Sequence, residues 1–368
     1  MQSVLEQAIL QQADRRLSIF DGGLGFPLMV VHRDALEHNV ATMAAFAGDH
    51  GLELAPHAKT HMSAEIAALQ LAAGAWGLSV ATPRQAQVVR GFGVDRIMVA
   101  NQVVDPAGLA WAAAELERDP AFEFLSFADS VAGVDILAGH AGAQPFRVLV
   151  ELGHEGGRAG CRTLEELLRV AGHVQETPGV ELAGVAGYEG ALKSADEVRK
   201  YLDSLQEAVE YVRVKSPILS VGGSQWFDVI GRELVAAQAR ILLRSGAYVS
   251  HDDGYYRERT PFNRIDGELR PALEVWAHVL STPEPGLAIV GMGKRDAPFD
   301  EGLPIPRRDG VTVVRMQDQH TIVRAAGLKP GDLLAFGISH PCTAFDKWRV
   351  LPLVDRDYRV VGTIKTNF

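Results

Sequence analysis

The feature that most constrains this chain is a change of rhythm near residue 260. Before it, short runs rich in β-branched and apolar residues alternate with longer stretches whose apolar residues recur at helical spacing. The strand-like runs cover 28–31, 53–59, 77–80, 96–101, 123–129, 147–153, 182–188, 217–223 and 241–248. Between them lie stretches such as 34–50 and 196–214, with an apolar period near 3.6 residues. Strands alternating with helices build βαβ units and therefore a parallel sheet. Eight or nine such units within about 220 residues fit a closed (β/α)8 barrel better than an open doubly wound sheet, which more often uses five or six strands. One run is surplus to a barrel, and local pattern does not identify it.

After residue 260 the helical period disappears. From 268–281 onward, strand-like runs at 286–292, 310–316, 332–339, 349–355 and 358–366 are separated by turns rich in Gly, Pro and Asp. They predict a mainly antiparallel β-domain of about 100 residues. The expected division is an α/β (β/α)8 barrel over 1–260 followed by a β-domain over 261–368. A length of 368 residues agrees with two domains.

Charge and cysteine usage exclude several functions. Lys plus Arg is 36 against 46 for Asp plus Glu, a net charge of −10. Such a chain lacks the basic surface that binds nucleic acid or anionic lipid without sequence preference. No stretch approaches 18 uninterrupted apolar residues, so no membrane-spanning helix is expected. The two cysteines, Cys161 and Cys342, are too few for a disulfide framework or a four-cysteine zinc module. The first residues carry Glu6 and several Gln where a signal peptide would be apolar, and the expectation is a cytoplasmic protein.

In a (β/α)8 barrel, functional groups sit where strands end and βα-loops begin. Lys59, within APHAKTH, is either a desolvated amine fit for a Schiff base or a lysine snorkelling to solvent; His57 and His61 bracket it. Arg158, in GGRAG, is either a ligand-facing guanidinium or an exposed loop arginine. Tyr188, in GYEG with Glu189, is either a pocket wall or a core aromatic. Gly222, Gly223 and Ser224 let the backbone approach an anion, or form an ordinary tight turn.

In the second domain His340 and Cys342 stand two apart in SHPCTAF. On an extended segment both would face one side and suit a borderline divalent metal such as zinc, unless they are a satisfied histidine beside a buried thiol. No Cys-x-x-Cys or second His-x-Cys pair completes a structural site, so a bound metal would keep positions for water or substrate. His57 and His61 are a rival metal pair, expected rather to surround Lys59. Cys161 is expected to be packing.

The stretches PHAKTH, GAWGLSVATPRQA, ANQVVD, ELGHEGGRAG, GYEG, GGSQWFDV, LRSGAYVSHD, GLAIVGMGKRDAPFD, DQH and SHPCTAFDKW span nearly the whole chain. Together they resemble the fold-type III pyridoxal-phosphate enzymes, in the branch of D-serine dehydratases, D-threonine aldolases and amino acid deaminases. The resemblance implies an alanine racemase-like barrel plus β-domain, assembled as a homodimer with the active site near the subunit interface. It implies pyridoxal 5'-phosphate bound through Lys59 as the Schiff-base lysine, with His57 beside it. Arg158 matches the arginine facing the pyridine nitrogen, Tyr188 a tyrosine lining the cofactor pocket, and Gly222, Gly223 and Ser224 the phosphate cradle. His340 and Cys342 match the metal pair of the dehydratases, where the aldolases carry His-x-Asp. Ala55 stands where the family usually has arginine.

An arginine opposite the pyridine nitrogen weakens the ring as an electron sink, so a metal on the β-hydroxyl would assist its departure as a Lewis acid. The resemblance thus implies a pyridoxal-phosphate- and divalent-metal-dependent dehydratase or deaminase, with zinc the expected metal, converting a D-serine-like D-3-hydroxyamino acid to a 2-oxo acid and ammonia. Three alternatives use parts of the same pattern. They are an aldolase cleaving Cα–Cβ to glycine and an aldehyde, a metal-dependent barrel hydrolase with a carbamylated Lys59, and a non-catalytic pyridoxal-phosphate carrier.

Overall fold

The computed structural model describes residues 4–234 and 237–368. Its first nine strands are β1 (Leu28–His32), β2 (Glu53–Leu54), β3 (Leu78–Val80), β4 (Arg96–Gln102), β5 (Glu123–Ala128), β6 (Phe146–Leu152), β7 (Val180–Gly187), β8 (Ile218–Val221) and β9 (Arg240–Leu243). Eight more follow: β10 (Leu273–Glu284), β11 (Leu287–Val290), β12 (Ile305–Pro306), β13 (Thr312–Met316), β14 (Thr321–Arg324), β15 (Leu333–Gly337), β16 (Val350–Val354) and β17 (Val360–Lys365). The chain forms two compact units. One comprises Met43–Lys59 and Gln70–Gly246; the other comprises Met1–Thr42, Thr60–Leu69 and Ala247–Phe368.

The first unit is the expected barrel. Its eight strands run in the order β2-β9-β8-β7-β6-β5-β4-β3, and every neighbouring pair is parallel. The two end strands meet through a single bridge between His57 and Ser79. The Trp76 N–H donates to the Leu54 carbonyl at 2.7 Å and the Ser79 hydroxyl to the Ala55 carbonyl at 2.7 Å, which closes the ring. Ala55, Trp76, Met98, Leu125, Phe127, Leu149, Ala186 and Leu242 fill its interior. Burial on both faces explains why these strands read as near-continuous apolar runs.

Five of the crossover helices start on side-chain caps. Thr82, Asp105, Ser130, Thr163 and Ser194 each accept a backbone N–H of the first turn. Helix Leu164–Glu176 buries Leu167, Val170 and Val174, while helix Ala195–Tyr211 buries Leu202, Leu205 and Val209. These are the stripes that the 3.6-residue period announced.

The surplus strand is β1, which lies in the second unit's sheet and not in the barrel. It pairs antiparallel with β10 and parallel with β16. That sheet runs β13-β14-β11-β10-β1-β16-β17, with β15 pairing β10 and β12 pairing β15. The two units therefore do not divide at 260/261: the N-terminal residues join the β-domain. The reason is non-local. LMVVH followed by helix Arg33–Asp49 has the local form of a βα unit, but Leu28 and Val30 of the strand pack with Ile9, Ile19, Val350, Val354 and Val360. The very short β12 and β14 are strands that periodicity did not reveal. Among the described residues no helix is long and apolar enough to cross a membrane.

Candidate active site

Lys59 was expected at the end of a strand spanning 53–59. The strand is only β2, and Lys59 sits instead in a single 3-10 turn, Ala58–Thr60. Pro56 has no N–H for a longer ladder, and its carbonyl is taken by the Ser79 N–H at 2.9 Å. The turn follows the closing seam directly, so Lys59 emerges half-buried at the C-terminal rim of the barrel. His57, in the seam itself, is held well below its usual pKa. Burial is the main cause, and the charges of Lys59, Arg244 and Arg158 add to it. It is a neutral imidazole among three cations. Its Nδ1 is buried and, among the described residues, has no hydrogen-bond partner.

The loop after β6 carries Arg158. Arg162 clamps it: the guanidinium donates to the carbonyls of Gly157 at 2.9 Å, Ala159 at 2.8 Å and Gly160 at 3.0 Å. Arg158 itself is exposed, with its guanidinium 5.3 Å from the centre of the Tyr188 ring. The Tyr188 N–H donates to the Tyr201 hydroxyl at 3.0 Å, and that hydroxyl donates to the Leu152 carbonyl. Tyr188 is thus positioned across the ends of β6 and β7. Together with Glu151, His154 and Arg158 it lines a small cavity.

The glycine pair is engaged differently from expectation. Gly222 has φ +103, and a Cβ there would lie 2.5 Å from Leu243 Cδ2, so both backbone and space require glycine. Its N–H, however, donates to Glu189 Oε2 at 3.1 Å, and that of Gly223 donates to Glu189 Oε1 at 2.7 Å. The two amides read as an anion cradle therefore already hold a carboxylate of this chain. Ser224 is half-buried beyond them, three residues before helix Phe227–Glu233.

Arg244 is the main residue that sequence reasoning missed. It directly follows β9 and is buried, donating to the Ser220 hydroxyl at 2.7 Å and the Gly187 carbonyl at 2.6 Å. Desolvation lowers its pKa; the negative charges of Glu189 and Glu151 oppose that. Burial in turn pushes the Glu151 carboxyl above its usual range, with Arg244 acting the other way. The available signal was position alone: a charged residue directly after an apolar barrel strand.

In the second unit, His340 and Cys342 are not on an extended segment. Pro341 starts a 3-10 turn, Pro341–Thr343, and His340 occupies the residue before it. The turn still keeps the pair near one another, close enough for the Cys342 sulfur to raise the proton affinity of the imidazole. His340 Nδ1 lies 2.9 Å from Asp300 Oδ2. Burial opposes a charge on this ring, but Cys342 and Asp300 together push its pKa up to about 9. The rings of Tyr255 and Tyr256 lie 5.3 and 5.7 Å from it.

Among the described residues no three His, Cys, Asp or Glu side chains gather as a complete metal cage. The rival pair does not form one. His61 is buried, and its Nδ1 accepts the Ser63 N–H at 3.0 Å. Cys161 is buried, its thiol donating to the Asp129 carbonyl at 3.4 Å.

A parallel eight-stranded barrel with a rim lysine among arginines, joined to an antiparallel β-domain, defines the alanine racemase-like class of enzymes. The family model described as "Alanine racemase, N-terminal domain" matches residues 31–228, and that described as "Putative serine dehydratase domain" matches residues 272–354. The chain belongs to the alanine racemase N-terminal-domain family, and it is a fold-type III pyridoxal-phosphate lyase.

Relatives sharpen the comparison. The chain is 27% identical to the 3-hydroxy-D-aspartate aldolase of Paracoccus denitrificans (strain Pd 1222) over 81% of this chain and 79% of that one. It is 29% identical to the D-threo-3-hydroxyaspartate dehydratase of Delftia sp. (strain HT23) over 62% of each. The D-threonine aldolase structure from Filomicrobium marinum superposes with a TM-score of 0.84 at 25% identity, covering 93% of this chain and 95% of that one.

Proposed function

We propose that this protein is a pyridoxal-phosphate- and divalent-metal-dependent dehydratase that converts a D-3-hydroxyamino acid to a 2-oxo acid and ammonia. The placing of His340 and Cys342 on one 3-10 turn, with the imidazole backed by Asp300, carries this reading. Imidazole and thiolate suit zinc, and two protein donors leave positions for water and a substrate oxygen.

The barrel residues fit the cofactor. Lys59, Arg158 and Arg244 surround His57 with positive charge suited to a phosphorylated, anionic ring, and the buried bare Nδ1 of His57 offers it a polar partner. Lys59 would hold the cofactor, Arg158 and Tyr188 would flank its ring, and Ser224 with the Gly222–Gly223 turn would border its phosphate. When bound, the cofactor supplies an electron sink that acidifies the substrate Cα–H, and the metal supplies a Lewis acid for the β-oxygen.

The amine of Lys59 would take the α-proton. Loss of the β-hydroxyl as water follows, and hydrolysis of the liberated enamine yields the 2-oxo acid and ammonia. A homodimer in the cytoplasm completes the proposal.

A second reading, cleavage of Cα–Cβ to glycine and an aldehyde, is supported by the aldolase names among the relatives. One assay separates the two. Purified holoenzyme is given D-threo-3-hydroxyaspartate, D-serine and D-threonine, and ammonia and glycine are quantified. Ammonia with an equivalent of 2-oxo acid, abolished by a chelator and restored by Zn2+, is expected. Glycine as the main product, or full activity after chelation, overturns the dehydratase reading.

A further inference from the structure

The contact between His340 and Asp300 is not explained by folding alone. Asp300 belongs to the loop between β11 and β12, and its side chain remains 42% exposed while that of His340 is 13% exposed. A half-exposed polar contact of this kind adds little stability. What the 2.9 Å contact does accomplish is orientation: with Nδ1–H donated to the carboxylate, the imidazole has one defined tautomer. When a cation displaces the second proton, the lone pair that receives it is on Nε2. The rings of Tyr255 and Tyr256 on the same side chain's flanks limit its other orientations.

We propose that Asp300 is the positioning residue of the metal centre. Its carboxylate takes Nδ1–H of His340, so that His340 presents Nε2 to the cation beside the Cys342 sulfur, while Asp300 itself stays off the metal. This inference rests on the proposed metal site at His340 and Cys342. A carboxylate acting through a ligating histidine commonly strengthens metal binding 10- to 100-fold.

The test is Zn2+ binding by the cofactor-loaded protein, measured by competition with a chromophoric chelator. The proteins compared are wild type, Asp300→Ala, Asp300→Asn, His340→Ala and Cys342→Ala. Asp300→Ala is expected to bind one Zn2+ at roughly 10- to 100-fold weaker affinity. Asp300→Asn, which keeps a neutral acceptor, should fall between it and wild type. The melting temperature in chelator and the visible absorbance of the bound cofactor should not change.

Wild-type affinity in Asp300→Ala, alongside lost binding in His340→Ala and Cys342→Ala, overturns the role of Asp300 and leaves the metal site standing. Loss of stoichiometric binding in Asp300→Ala and Asp300→Asn alike would make Asp300 a direct ligand, which also overturns the proposal. A wild-type chain that binds no equivalent of Zn2+ overturns both.

Discussion

The carboxylate of Glu189 accepts the N–H of Gly223 at 2.7 Å, and its other oxygen accepts that of Gly222 at 3.1 Å. A wholly buried acid at the end of β7 thereby ties down the turn after β8 and places negative charge near Arg244. Removing it strands two amides and deprives a buried arginine of a counter-charge. Glu189→Ala is therefore expected to destabilise the barrel by about 2–4 kcal/mol. Glu189→Gln, which keeps an acceptor oxygen, should lose less. Urea unfolding followed by tryptophan fluorescence measures both; equal stability of wild type and Glu189→Ala would refute the tie.

Lys59 stands at the rim among cations, and the proposed function gives it two tasks, holding the cofactor and moving the α-proton. Lys59→Ala should show no visible absorbance attributable to a lysine-bound cofactor. Turnover should fall by at least about 10²–10⁴-fold, the usual contribution of a positioned base. Circular dichroism should be unchanged. Visible absorbance like that of wild type in the variant would remove Lys59 from the assignment.

His251 gives a pH dependence with a definite sign. Burial, helped by the charge of Arg257, lowers its pKa from 6.5 to about 4. The unfolded chain therefore binds a proton that the folded chain refuses. The contribution to stability is complete above pH 6.5 and is lost as pH falls through about 4. Neighbouring Asp252, whose carboxyl burial pushes up to about 6, has the opposite slope between pH 3.8 and 6, so only a difference from a variant isolates the histidine. His251 has φ +47, a conformation asparagine tolerates, which makes His251→Asn the suitable replacement. Between pH 7 and 4.5 wild type should lose up to about 3 kcal/mol more than His251→Asn. Parallel stability curves would contradict the buried neutral imidazole.

The two thiols should differ sharply. Burial, with Asp129 and Glu166 nearby, pushes the Cys161 thiol up to about 12, which leaves negligible thiolate at neutral pH. Cys342 is half-buried. A thiol reagent at pH 7.5 should modify only Cys342 in the folded protein and both cysteines in denaturant, and Zn2+ should protect Cys342. Modification of Cys161 in the native chain would contradict its packing.

The candidate site was legible where chemistry follows from position. Lys59, Arg158 and Tyr188 follow barrel strands, and the rule that barrel function gathers at strand ends was enough to single them out. Arg244 obeys the same rule but resembled an ordinary strand terminus. Glu189 could not be read as the partner of Gly222 and Gly223, because 33 and 34 residues separate them along the chain. The spacing of His340 and Cys342 singled them out as a proposed metal pair, though on a turn rather than the expected extended segment, whereas Asp300, 40 residues from His340, gave no such signal.

By itself the sequence determined the elements: alternating strands and helices before residue 260 and strands after it. These depend on neighbours within a few positions, whose side-chain period and backbone preferences are local properties. Tertiary structure decided which sheet receives β1, that the barrel closes through His57 and Ser79, and that the glycine amides hold a carboxylate. Each is a pairing between distant segments, selected by the burial and hydrogen bonding of the folded chain, and no local period encodes it.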